Sequence, residues 1–125
     1  MAGNDGFYPG RAPIDAYGNG GFRFAGMSHR GSLLYLPSGI RRWDTRIFTG
    51  LDPYALECIL LEADAIDTLL IGTGRNIVPL EQQTRDLLRS RGIGADTMTT
   101  GAAARTYNVL LAENRRVAAA LIAVE

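Results

Sequence analysis

The stretch Asp67–Leu80 (D-T-L-L-I-G-T-G-R-N-I-V-P-L) constrains the fold more than any other part of this chain. Thr68 to Ile71 is a short apolar run, Gly72-Thr73-Gly74 interrupts it, and Pro79 stands where a helix can open. An apolar run closed by glycines and followed by a helical pattern marks a buried strand of a parallel α/β unit. The sequence on both sides is read outward from this unit.

Just upstream, Asp52-Pro53 predicts a helix start. Aspartate accepts from free amide groups of the first turn, and proline at the first helical position loses no hydrogen bond. Leu56, Ile59, Leu60 and Ala63 follow at helical spacing and predict the buried face. Downstream, Pro79 predicts the opening of a second helix with Leu80, Leu87 and Leu88 inward, and Gly92 predicts its left-handed end. Ile93–Met98 predicts another short strand, and Thr99-Thr100-Gly101 the start of a third helix over Ala102 to about Asn114. Val117–Val124 (V-A-A-A-L-I-A-V) has the length of a central strand, with helix as the alternative because alanine favours it.

The N-terminal part follows different rules. Residues 1–12 carry little periodicity and predict a mobile tail, leaving 13–125 as a single domain. From Pro13 the pattern alternates: Ile14–Tyr17, a turn at Gly18–Gly21, Phe22–Met27, a turn at His29–Ser32, Leu33–Leu36, a turn at Pro37–Gly39, and Ile40–Trp43. Connections this short demand antiparallel pairing. The expected fold class is therefore mixed α/β (α+β), an N-terminal antiparallel β-meander followed by α-β-α-β-α-β.

Composition bounds the function. The chain has 125 residues, enough to bury about two-thirds of its unfolded surface in one domain. Thirteen basic residues, all arginine, balance thirteen acidic ones, and that neutrality argues against a nucleic-acid binder. The single Cys58 and single His29 leave no internal disulfide and no Cys- or His-based metal site, so no metal is expected. Cys58 sits among helical apolar residues as a small buried hydrophobe, and His29 reads as a solvated turn residue. No apolar run approaches the roughly 18 residues of a membrane-spanning helix. A soluble, cytoplasmic protein is expected, with peripheral membrane association left open.

Two groups of residues carry the candidate chemistry. Gly72-Thr73-Gly74 lacks the third glycine of a dinucleotide loop, since position 77 is Ile77, and the chain has no lysine for the other phosphate loop. No cofactor is expected. Thr99, Thr100, Arg105 and Asn108 form the first group, with Arg105 and Asn108 neighbours on one helix face. If the strands ending at Ile71 and Met98 run parallel, Thr73, Arg75 and Asn76 join them along one sheet edge as a polar cleft. Arg105 and Asn108 bracing loop carbonyls is the competing reading. The second group, Arg41, Arg42 and Trp43, combines residue types that dominate binding surfaces, or else Trp43 closes the core.

The run M-T-T-G-A-A-A-R-T-Y-N-V-L-L-A-E-N-R-R-V-A-A-A-L (Met98–Leu121), with L-L-I-G-T-G (Leu69–Gly74) and L-P-S-G-I-R-R-W (Leu36–Trp43), resembles a known family. That family includes mitochondrial complex I assembly factor 3, the adipogenesis-associated domain protein of animals, and small bacterial proteins of unknown function. The resemblance covers residues 12–124 and implies one compact domain, a three-layer β+α/β/α arrangement. The family pattern often has aspartate where this chain has Thr99 and cysteine where it has Ala104, and the missing cysteine weakens any thiol mechanism. The resemblance implies a non-enzymatic interaction or assembly factor acting through a protein partner, in support of a membrane-bound respiratory complex. The alternative from the residues is a small-anion-binding protein or enzyme using the polar cleft, with Arg105 holding a carboxylate or phosphate.

Overall fold

A computed structural model describes residues 6–125. Nine strands and three α-helices follow in chain order among these residues: β1 (Phe7–Pro9), β2 (Ala16–Gly18), β3 (Gly21–Phe24), β4 (Met27–Arg30), β5 (Ser32–Leu36), β6 (Gly39–Trp43), α1 (Pro53–Leu61), β7 (Thr68–Gly72), α2 (Gln82–Ser90), β8 (Gly94–Met98), α3 (Thr100–Ala112) and β9 (Val117–Leu121). Six strands form a mixed sheet in the order β1-β6-β5-β9-β7-β8, and β2-β3-β4 form a separate antiparallel sheet.

Every residue of β9 is buried, because it lies between β5 and β7 with both faces covered. Such a strand reads as a continuous apolar run, and that burial decides for strand over helix at Val117–Leu121. Side chains alternate between two cores. Leu34, Leu36, Leu69, Ile71, Ala118 and Ala120 pack with Ala55 and Ile59 of α1 and Leu88 of α2. Leu33, Tyr35, Leu70, Val117, Ala119 and Leu121 pack instead with Ala103, Ala104 and Tyr107 of α3 and with Phe22 and Phe24 of β3. The layers are therefore β-sheet plus α3, central sheet, then α1 and α2, the expected β+α/β/α order.

The expected meander splits in two. The turn between the second and third strands falls at Ala25-Gly26, with φ of 51° and 74°, rather than at His29–Ser32. Two positive φ values match the right-handed twist of a tight hairpin, but an alanine in that role hides inside an alternating pattern. His29 consequently lies within β4, not in a solvated turn, and its Nδ1 meets the Tyr8 hydroxyl at 2.9 Å. Only the hairpin of β5 and β6 enters the main sheet. Part of the expected tail is also structured, since β1 pairs with β6 from Phe7↔Arg41 to Pro9↔Gly39. The Arg41 guanidinium lies 4.5 Å over the Phe7 ring, which adds a cation–π contact to the ladder. The first five positions of that tail lie outside the described residues.

The helices also differ in detail from expectation. α2 begins at Gln82 rather than Pro79, and Leu87 is exposed. Leu80 reaches the core from the preceding extended segment, so the apolar periodicity there belongs partly to a loop. Gly92 takes φ of 83° after the last turn, as expected. At α1 the Asp52 carboxylate accepts from the Ala55 amide at 3.1 Å and from the Trp43 indole Nε1 at 3.1 Å. One side chain thus ties the helix start to the end of β6. Asp52→Ala is expected to lower stability by about 1–2 kcal/mol, the loss of a cap plus an indole partner. An unchanged urea midpoint would show that neither bond matters.

Candidate functional site

β7 runs parallel to both β8 and β9, so the loops that follow these strands open on one edge of the sheet. α3 comes very close to that edge. A Cβ on Gly72 would lie 2.9 Å from Thr100 Cα and 2.9 Å from Leu121 Cδ2, so only glycine fits. The Thr100 side chain, with 0% exposure, donates to the Ile122 carbonyl at 2.7 Å and accepts from the Gly74 amide at 3.0 Å. Thr73 donates to the Asn76 carbonyl at 2.6 Å and accepts from the Val78 amide at 3.0 Å. Its own amide bonds the Met98 carbonyl at 2.9 Å. Thr99 caps α3 by accepting from the Ala102 amide at 3.2 Å. The amides of Thr73 and Gly74 are consumed internally, so they offer no cradle to a phosphate.

The cleft expected from the sequence does not form as one unit. Arg105 and Asn108 hydrogen-bond to the three-stranded sheet and its lead-in, and neither lines the depression beside the glycine loop. Asn108 grips one residue of the lead-in to β2, accepting from the Ile14 amide and donating to the Ile14 carbonyl, each at 2.8 Å. The exposed Arg105 reaches only the Tyr17 hydroxyl, at 3.4 Å. Tyr17 in turn lies on Gly101, where an added Cβ would collide with its hydroxyl oxygen. Asn108→Ala is expected to cost about 1–2 kcal/mol, because two backbone groups lose their partner in a part-buried place. Arg105→Ala is expected to change stability by less than about 0.5 kcal/mol, as for an ordinary exposed position. Paired urea titrations of the two variants check this, and equal losses would contradict the geometry.

The remaining members of the expected cleft, Thr73, Arg75 and Asn76, line a depression of about 370 Å³. Its other wall is the linker after β6, with Arg46, Ile47 and Phe48, and its floor is the segment after β9 up to Glu125. Arg46 and Ile47 lie in a stretch without periodicity, so nothing in the sequence linked them to this edge. A second depression of about 360 Å³ adjoins it, sharing Arg46, Ala123 and Glu125 and adding Arg30.

Trp43 is not a surface residue. It is 1% exposed and belongs to the core beneath α1, which corrects its assignment to an interaction surface. Arg41 and Arg42 do line a depression of about 250 Å³ with Phe7, Asp44, Asp52 and Tyr54. Arg42 is paired there with Asp44 at 3.3 Å. Burial and the nearby Arg42 charge hold His29 below the ordinary imidazole pKa, partly opposed by Asp44. Burial pushes the Tyr107 hydroxyl up to about 12 and Tyr35 further up. These phenols are neutral packing groups at physiological pH. Cys58 is only partly buried and sits beside Tyr54, whose pKa is raised by burial and by its bond to the thiol.

The layering and the glycine-closed β7 edge define a β+α/β/α protein of mixed sheet. The chain belongs to the family of proteins of unknown function DUF498/DUF598, which matches residues 14–122. It is 43% identical to an uncharacterized protein of Rhodobacter capsulatus, covering 98% of this chain and 93% of that protein. It is 31% identical to NADH dehydrogenase [ubiquinone] 1 alpha subcomplex assembly factor 3 of Danio rerio, over 87% of this chain. That match spans 63% of the fish protein's length. Among solved structures, a Bartonella henselae protein described as an outer membrane protein shares 57% identity with a TM-score of 0.86. The match covers 94% of this chain and 98% of that one. Among the described residues, no helix is long and apolar enough to cross a membrane.

Proposed function

We propose that this chain is a non-enzymatic interaction factor that binds a protein partner in the cytoplasm and assists assembly of a membrane-bound respiratory complex. The observation that carries this reading is its likeness, over 87% of its length, to a protein named as an NADH dehydrogenase assembly factor. The side chains support it by what they are already doing. Asn108, Thr73, Thr99 and Thr100 spend their polar atoms on backbone groups, which is the work of a scaffold. The small-anion reading is less supported, since Arg105 contacts Tyr17 and does not line the depression that holds Arg75 and Asn76.

The test is affinity purification of the tagged chain from soluble and membrane fractions of the native organism, alongside a deletion strain. Recovery of identified respiratory-complex subunits, with reduced assembled complex in the deletion strain, is the expected result. Normal levels of the assembled complex without this chain would overturn the assembly role.

A further inference from the structure

We infer that the groove at the carboxyl edge of β7 and β9 is the docking site for an acidic segment of the protein partner, one in which apolar side chains alternate with carboxylates. The inference rests on the interaction reading above and specifies its surface and chemistry. Arg30, Arg46 and Arg75 surround the two adjoining depressions, and all three are exposed. Among the described residues none of them pairs with a carboxylate side chain, and the one polar contact of the Arg75 guanidinium is the main-chain oxygen of Glu125 at 3.4 Å. Glu125 is the one acidic residue of the lining and faces three arginines there, in a chain whose overall net charge is +0.

Apolar groups flank this charge. Ile47 on one wall is 76% exposed, and Ile77, between the lining residues Asn76 and Val78, is 62% exposed. Large aliphatic side chains held in water beside exposed guanidinium groups are poorly suited to a small anion and well suited to a peptide. The planar guanidinium fork takes a carboxylate through two parallel bonds, and the isoleucines then cover neighbouring apolar side chains of the same segment. Charge of one sign gathered here also steers an acidic partner during encounter. A nucleic acid would need a longer basic stripe than three arginines provide.

The experiment uses the full chain, ¹⁵N-labelled, titrated with a twelve-residue peptide of glutamate and leucine and with its lysine–leucine counterpart. Amide shifts confined to residues 30–32, 45–48, 75–78 and 123–125 are expected with the acidic peptide alone. Affinity should fall at least tenfold in Arg46→Glu/Arg75→Glu and stay unchanged in Arg115→Glu, an exposed charge before β9 at the opposite edge. Circular dichroism and Tm confirm that each variant is folded. Absent shifts, shifts elsewhere, equal binding of the basic peptide, or indifference to the double reversal would each overturn the inference. Binding of phosphatidylserine vesicles in preference to the acidic peptide would overturn it in favour of a membrane surface. If wild type and double variant capture the same respiratory-complex subunits equally, the groove is wrong while the interaction reading stands. If the acidic peptide binds as described but wild type recovers no such subunit, the assembly reading fails and the groove remains.

Discussion

Leu70→Asp is expected to abolish cooperative folding. Leu70 is 2% exposed in β7 and packs in the core shared with Tyr35, Ala103, Tyr107 and Ala119. Its neighbours across the sheet are Asp96 of β8 and Ala119 of β9, and neither offers a cation. An ionised carboxylate there loses its hydration with no partner, and even the protonated form leaves polar atoms unsatisfied. The cost is at least several kcal/mol, comparable to the about 5–15 kcal/mol that hold a domain together. Circular dichroism with a urea titration measures it. A soluble variant with a cooperative transition near the wild-type midpoint would show that β7 does not occupy the centre of the fold.

The second large effect is expected from Thr100→Val, which keeps the shape and removes the hydroxyl. The Gly74 amide and the Ile122 carbonyl would then lose the oxygen that bridges them inside a fully buried site. Each orphaned buried group costs about 1–3 kcal/mol, so about 2–6 kcal/mol of destabilisation is expected in total. The loop after β7 should loosen with it, because Thr100 is the clamp between that loop, the start of α3 and the end of β9. Amide hydrogen exchange should therefore accelerate at Gly74–Val78 and Ile122–Val124 more than at Leu69–Ile71. Uniform acceleration throughout β7 would mean that the hydroxyl supports global stability with no local role. Serine at position 100 retains the bridge, and Thr100→Ser should recover most of the loss.

These two variants probe different kinds of information. Leu70 was legible from its own neighbourhood, since an apolar run closed by glycines reports a buried strand whatever it pairs with. The caps at Asp52 and Thr99 were legible for the same reason, because a helix start needs acceptors within three residues along the chain. The bridge made by Thr100 was not legible, as its partners lie 26 and 22 residues away. Trp43 shows a related ambiguity. Its neighbours Arg41 and Arg42 suggest a surface, while the indole is buried and bonded to Asp52 nine residues on.

Period and local chemistry determined the parallel unit around Asp67–Leu80, the starts of α1 and α3 and the mixed α/β class, while the three-layer order and the family came from resemblance of the sequence to known proteins. Tertiary structure decided where each face points. Arg105 and Asn108 share a helix side by spacing, but only the docking of the three-stranded sheet directs that side to Ile14 and Tyr17. Arg46 and Arg75 lie 29 residues apart in sequence. They meet at one groove because the linker after β6 and the loop after β7 reach the same edge of the sheet. Side-chain periodicity is a property of one element, whereas a site is a property of several, and their juxtaposition is set by which faces the core leaves uncovered.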